Sequence, residues 1–323
     1  MLKTEVPERV LDKRKDWALN DAKRDMGLIE PSDVKQIKNI SYGPYGTDNL
    51  MDIYKPLAKE NELLPIIINV HGGGFFYGDK ELYRFYAMDM ARFGFAVINI
   101  NYRLAPENVF PAPLEDINAV ILWIEKNAEE YKLDTDKLFM MGDSAGAQLT
   151  SHYAAINSNK EFFKLYSLSE TRLKIKKIAT ACGMYDIIKG MQKESEVELY
   201  KDYLGDKYDP ENSLFDVCGA ITENYPETFA FSAPNDFLYE ECAPFVKLIN
   251  ERGGKAVLKI YGSKEDKNLG HVFHLNFALK TGAVARKDQA EFLSQSEKTP
   301  PSKRSVGREF TNMSRSGYNL RPR

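Results

Sequence analysis

Between about residue 37 and residue 293 the chain alternates β-branched apolar runs with amphipathic stretches. Ile66-Ile67-Ile68-Asn69-Val70 is the clearest run and predicts a strand buried on both faces, since apolar residues there do not alternate with polar ones. Similar patterns predict strands at 37–42, 50–54, 95–101, 138–141, 175–182, 228–232 and 256–261. Helical spacing predicts helices at 7–28, 80–93, 114–131, 145–156, 194–204, 238–252 and 284–293. In the first, Val10, Leu11, Trp17, Ala18 and Ala22 fall on one stripe, which predicts a buried face; Gly27 and Pro31 end the helix. Gly253-Gly254 closes the 238–252 helix. From 187 to 224 no strand pattern appears, so an insertion over one sheet edge is expected there. Strands alternating with helices predict an α/β fold: a mostly parallel, eight-stranded sheet with helices on both faces. In such sheets ligands sit at the carboxyl ends of the strands.

Two glycine-rich motifs follow predicted strands. Gly142-Asp143-Ser144-Ala145-Gly146 lies between the 138–141 strand and the 145–156 helix. A serine held between glycines at a strand-to-helix turn is the nucleophile-elbow pattern. The turn lifts the hydroxyl out of the sheet, and a side chain at either glycine would strike the adjoining strand or helix. His71-Gly72-Gly73-Gly74 directly follows the 66–70 strand, and its glycines let backbone N–H groups approach a ligand. A serine nucleophile needs a base, and a histidine base needs a carboxylate to fix its tautomer. Of four histidines, His271 follows the last strand on a loop and is the preferred base, with His274 as the alternative. His71 is expected to bond the glycine loop, and His152 to lie in helix packing. Asp236 ends the 228–232 strand and is the preferred acid; Glu240 and Glu241 fall inside the next helix. The order Ser144, Asp236, His271 is that of α/β-hydrolases.

Composition narrows the function classes. At 43% hydrophobic and 28% charged the chain is ordinary for a soluble globular protein. No apolar run approaches the roughly 18–20 residues of a membrane span, and the N-terminus shows no apolar leader. Cys182, Cys218 and Cys242 form no metal or redox spacing, which predicts free thiols and a cytoplasmic setting. The net charge is -3, yet seven basic residues and one acidic residue from Lys298 onward carry +6, leaving -9 for the rest. An acidic body excludes nucleic acid as the main partner. Neither nucleic acid nor membrane is expected as a partner; self-association stays open. His271 and His274 lack a convergent third ligand, so no metal is expected.

The chain resembles α/β-hydrolases of the hormone-sensitive-lipase-like esterase family. The resemblance rests on His71-Gly72-Gly73-Gly74, Tyr102-Arg103-Leu104-Ala105-Pro106-Glu107, Phe110-Pro111-Ala112-Pro113-Leu114-Glu115-Asp116, the Ser144 elbow, Asp236 and His271-Val272-Phe273. It implies an α/β-hydrolase fold, a carboxylesterase acting on small esters, and no cofactor. It implies Ser144 as nucleophile, His271 as base, Asp236 as its orienting acid, and the N–H groups of Gly73, Gly74 and Ala145 as the oxyanion hole. It also implies a small helical cap from about 1–35 and 187–224 on one domain, 1–296, followed by a disordered basic tail, 297–323. The chain departs from the family pattern in the Ala-Pro-Asn-Asp-Phe setting of Asp236, where a glycine usually precedes the acid. The charged loop 263–270 is longer than usual and is expected to shape the entrance. Two other readings share the motifs: a peptidase or acyltransferase with the same three residues, and a binding protein on this fold. Receptors of the latter kind have lost the histidine base, which this chain keeps.

Overall fold

The computed structural model describes residues 6–295. The chain divides into a main unit, Met1–Leu293, and a short stretch, Ser294–Arg323. The tail expected at 297–323 and the first five residues of the expected cap lie outside the described residues.

The eight strands are β1 (Val34–Ser41), β2 (Leu50–Pro56), β3 (Leu64–Val70), β4 (Ala96–Ile100), β5 (Leu133–Asp143), β6 (Ile175–Ala181), β7 (Glu227–Ser232) and β8 (Ala256–Ile260). They form one sheet in the order β1-β2-β4-β3-β5-β6-β7-β8. β2 runs antiparallel to both β1 and β4; β4 through β8 are parallel. Along β3, Ile66, Ile68 and Val70 enter one apolar core and Ile67 the other, the period-two alternation of a strand covered on both faces. Helices α1 (Glu8–Arg24), α2 (Arg84–Arg92), α3 (Ala112–Asn127) and α4 (Ala145–Ser158) precede β6. After α5 (Lys160–Phe163), the segment between β6 and β7 folds into short turns and helices: α6 (Ile187–Met191), α7 (Val197–Leu204) and α8 (Val217–Ala220). Helices α9 (Tyr239–Glu251) and α10 (Lys280–Ser294) flank β8. Residues of α2 and α10 fill one core; those of α3, α4 and α9 fill the other.

Three elements differ from the sequence pattern for physical reasons. The expected 80–93 helix begins only at Arg84. Lys80 is held outside it: its N–H donates to Asn101 Oδ1 (2.7 Å), its carbonyl accepts from Asn99 Nδ2 (2.6 Å), and its ammonium lies 3.0 Å from Asp52. β5 starts at Leu133, ahead of the apolar run, because Leu133-Asp134 pairs with Leu64-Pro65 of β3. The expected apolar stripe of α1 is not buried: Val10 alone is, while Leu11, Trp17, Ala18 and Ala22 are exposed. Burying one valine contributes about 1.5–3 kcal/mol, so polar contacts carry much of the docking of α1. Arg14 donates from Nε to Phe76 O (2.6 Å), from Nη2 to Ala105 O (2.9 Å), and in two bonds of 2.7 Å to Glu107. Arg9 pairs with Asp202 and Glu198 of α7.

Candidate active site

Parallel register brings the two glycine motifs side by side. Val70, the last residue of β3, pairs with Gly142 of β5, so His71-Gly72 lies against Asp143-Ser144. A Cβ on Gly142 would press on the Gly146 backbone and come within 2.6 Å of Thr150 Oγ1. A Cβ on Gly146 would collide with Val70 O and the His71 carbonyl. Both glycines are therefore set by close approach of backbone. Ser144 between them has φ 51° and ψ -121°, outside the regions an L-residue favours, and caps α4. Such a conformation costs on the order of 1–3 kcal/mol and persists because the packing around it leaves no alternative. Six non-glycine residues have positive φ among the described residues, and four of them, Phe75, Ser144, Cys182 and Val272, follow strand ends at this edge. Val272 is β-branched with φ 50°, in the turn that presents His271.

Ser144, Asp236 and His271 converge. His271 Nε2 is 2.9 Å from Ser144 Oγ, and His271 Nδ1 is 2.7 Å from Asp236 Oδ1. Ser144 and His271 are 127 residues apart in sequence. Asp236 is 5% exposed and also accepts from Ser232 Oγ (2.7 Å) and the Leu238 N–H (3.1 Å). Burial pushes its carboxyl up, but the hydrogen bonds from His271, Ser232 and Leu238, with the charge of His271, win and hold it below its ordinary value. Asp236 is thus kept ionised, and Nδ1 of His271 must carry the proton, leaving Nε2 as the acceptor facing Ser144. Cys182 Sγ lies within 4.8 Å of ligating atoms of Asp236 and His271. Burial, followed by the Asp236 charge, pushes its thiol up, so it stays protonated beside the carboxylate.

The glycine strip has left-handed backbone at Gly73 (φ 114°) and Gly74 (φ 59°). Among the described residues nothing accepts the N–H of Gly73 or Gly74, and Ala145, the first residue of α4, has no intrahelical acceptor. The strip is fixed from behind by two residues that sequence spacing does not single out. Tyr83 Oη accepts from the Gly72 N–H (2.9 Å) and donates to Asp143 Oδ2 (2.8 Å). Asp143 is within the elbow motif, so a charge at the end of an apolar strand was a visible signal; Tyr83 carried none. Burial raises the Asp143 carboxyl to about 6, against the bond from Tyr83 and the charge of His271.

The other histidines take different places. His71 donates from Nδ1 to Gly72 O (2.7 Å) and stacks on Tyr102; burial lowers it to about 4, so it is neutral. His152 is buried, 2.6 Å from Tyr166 Oη, and burial lowers it to about 3. His274 is fully buried in a turn, edge-on to Tyr86 and Phe231, with no polar partner for its ring among the described residues. It makes no contact with Ser144 that would suit a base. Glu240 is exposed, and Glu241 pairs with Lys189 and Lys193.

A pocket of about 230 Å³ opens at Ser144 and His271, walled by Gly73, Tyr77 and Tyr83 on one side and by Trp17 and Arg24 of α1. Tyr77 Oη donates to Asp21 of α1 (2.8 Å), and Trp17 packs on Phe76. Phe75, by contrast, is core, stacked on Tyr203. The loop 263–270 contributes nothing to the pocket wall; Asn235 Nδ2 ties it back through Ser263 O and Asp266 O. A cleft of about 280 Å³ elsewhere, beside Tyr153 and Lys174, holds no nucleophile with a base.

A family model described as BD-FAE matches residues 51–249, more than half of the chain. The chain belongs to the BD-FAE family. Its fold is the α/β-hydrolase fold. Esterase LipQ of Mycobacterium tuberculosis is 26% identical over 260 residues, covering 77% of this chain and 60% of LipQ. Carboxylesterase NlhH of the same organism is 33% identical over 135 residues, 40% of this chain and 42% of NlhH. This BD-FAE member therefore spans under two thirds of the length of either relative. Esterase B of Lactobacillus rhamnosis, solved with a tributyrin phosphonate inhibitor, superposes with a TM-score of 0.79 at 23% identity, over 90% of this chain and 96% of that one. That likeness establishes the fold. Among the described residues no helix is long and apolar enough to cross a membrane.

Proposed function

We propose that the protein is a carboxylesterase that hydrolyses short-chain acyl esters through an acyl-enzyme on Ser144. His271 Nε2 takes the hydroxyl proton as Ser144 Oγ attacks the ester carbonyl, and Asp236 stabilises the imidazolium. The carbonyl oxygen becomes an oxyanion that the N–H groups of Gly73, Gly74 and Ala145 receive, each such donor being worth roughly 10²–10³ in rate. The amino end of α4 adds positive potential at the same point. His271 then protonates the departing alcohol. Water, deprotonated by His271, attacks the acyl-enzyme and regenerates Ser144. No cofactor or metal enters the sequence.

The observation that carries this reading is the unbroken line from Asp236 Oδ1 to His271 (2.7 Å) to Ser144 Oγ (2.9 Å) on a strained elbow. The short-chain preference rests on a pocket of about 230 Å³, below the roughly 300–1,000 Å³ of drug-sized sites. In this reading α1 and the segment 187–224, joined through Arg9 and Asp202, act as the cap. Three free thiols, two of them buried, fit a reducing compartment such as the cytoplasm.

The test is hydrolysis of nitrophenyl butyrate by Ser144→Ala and His271→Ala. Both should lose on the order of 10⁴- to 10⁶-fold in kcat, because such residues act as a unit, while circular dichroism stays that of the wild type. A folded Ser144→Ala protein with a tenth of wild-type activity overturns the reading.

A further inference from the structure

Phe237 is 72% exposed, although its neighbours Asp236 and Leu238 are buried. Single exposed apolar residues are normal on protein surfaces. Phe237 differs in what it covers: its ring centroid is 4.3 Å from that of His271, at an angle of 42°. Its backbone is pinned by the turn that holds the acid, in which the Leu238 N–H donates to Asp236 Oδ1 and the Tyr239 N–H to Asp236 O, both at 3.1 Å. The ring thus stands beside the imidazole, held at its backbone and open to solvent on its other side.

Chemistry assigns a meaning to that face. In the proposed acylation step, Nε2 of His271 gives its proton to the oxygen of the departing alcohol. That oxygen must come within hydrogen-bond distance of Nε2, and the group attached to it must then extend along or away from the imidazole. The acyl group, bonded to the carbonyl carbon, leaves the reacting centre in another direction. From this we infer that Phe237 is a specificity residue for the leaving group, forming an apolar platform beside His271 that favours esters of aromatic alcohols over those of small aliphatic ones. Water, the acceptor in deacylation, is too small to use the platform. Phe237 thus acts on formation of the acyl-enzyme and leaves its breakdown alone.

The inference rests on the ester-hydrolase reading, and a single experiment separates the two. Benzyl butyrate and ethyl butyrate share one acyl-enzyme and differ only in the alcohol. Their kcat/KM ratio is measured for the wild type, Phe237→Ala and Phe237→Trp, and deacylation of the butyryl-enzyme is followed in a single turnover. Loss of a ring–ring contact should lower the benzyl-to-ethyl ratio of Phe237→Ala roughly three- to tenfold. Phe237→Trp, which keeps a ring, should restore the ratio, and the deacylation rate should be the same in all three proteins. An unchanged ratio in Phe237→Ala overturns the inference and leaves the hydrolase reading standing. A slower deacylation also overturns it, because Phe237 would then be acting through His271. A wild-type protein that turns over neither ester overturns the hydrolase reading, and this inference with it.

Discussion

Asp143 is a carboxyl group cut off from solvent, with one oxygen bonded to Tyr83 and the other without a partner among the described residues. Burial raises it to about 6 from an ordinary 3.8, so the folded chain holds this proton more tightly than the unfolded chain does. Its effect on stability has a definite sign: least unfavourable below about 3.8, increasingly unfavourable as pH rises toward 6, and constant above. Asp143→Asn removes the ionisation. The stability gap between variant and wild type should therefore widen in favour of the variant from pH 4 to pH 7, by about 2 kcal/mol, then level off. Urea unfolding at several pH values measures it, and a gap independent of pH would refute the assignment. Ser144, Asp236 and His271 could be picked from sequence because each follows a strand end, and residues there share one edge whatever the details of packing. Tyr83 and Phe237 could not. Each touches its partner through a contact between separate elements, and neither contact leaves a periodic trace.

Helix α1 shows where periodicity misleads. Its apolar positions share a stripe, yet four of the five are exposed, because arginines rather than aliphatic side chains fix its position. The β-branched strands were legible at their centres, where burial on both faces demands apolar residues. They were less so at ends such as the start of β5, where strand structure continues from Leu133 across the polar residues 134–137 ahead of the apolar run. The mooring of α1 makes its own prediction. Arg14→Met keeps most of the apolar stem and loses the bonds to Phe76 O, Ala105 O and Glu107. Since α1 supplies Trp17 to the pocket wall, KM should rise roughly three- to tenfold, the equivalent of about 1 kcal/mol, with a smaller change in kcat. In the wild type, high salt should raise KM in the same direction, since the Arg9 pair is partly exposed and screened. A variant with unchanged KM would show that α1 does not bound the substrate.

Under the proposed function, the substrates are esters dissolved in water. Outside the basic stretch from Lys298 the formal charge is -9, and the pocket is about 230 Å³. An acidic body is repelled by anionic lipid surfaces, and in the proposed reading the small pocket favours short acyl chains. Butyrate esters should be hydrolysed faster than palmitate esters, with no jump in rate when substrate passes its solubility limit. Comparing rates across acyl lengths, below and above that limit, checks both. Faster turnover of emulsified long-chain triglycerides would contradict this picture.

The 127 residues between Ser144 and His271 have a consequence for how the protein comes into being. A ribosome adding roughly 5–20 residues per second makes the nucleophile about 6–25 s before it makes the base, and the glycine strip earlier still. Once β6 has emerged and the Ala181 carbonyl has taken the Ser144 N–H, the nascent chain can hold a formed elbow whose serine has no partner to activate it. Such a chain would not react with fluorophosphonate probes, and labelling of stalled ribosome complexes should begin only once His271 has cleared the exit tunnel. On the proposed mechanism, activity therefore waits until the last strand and the His271 loop are in place.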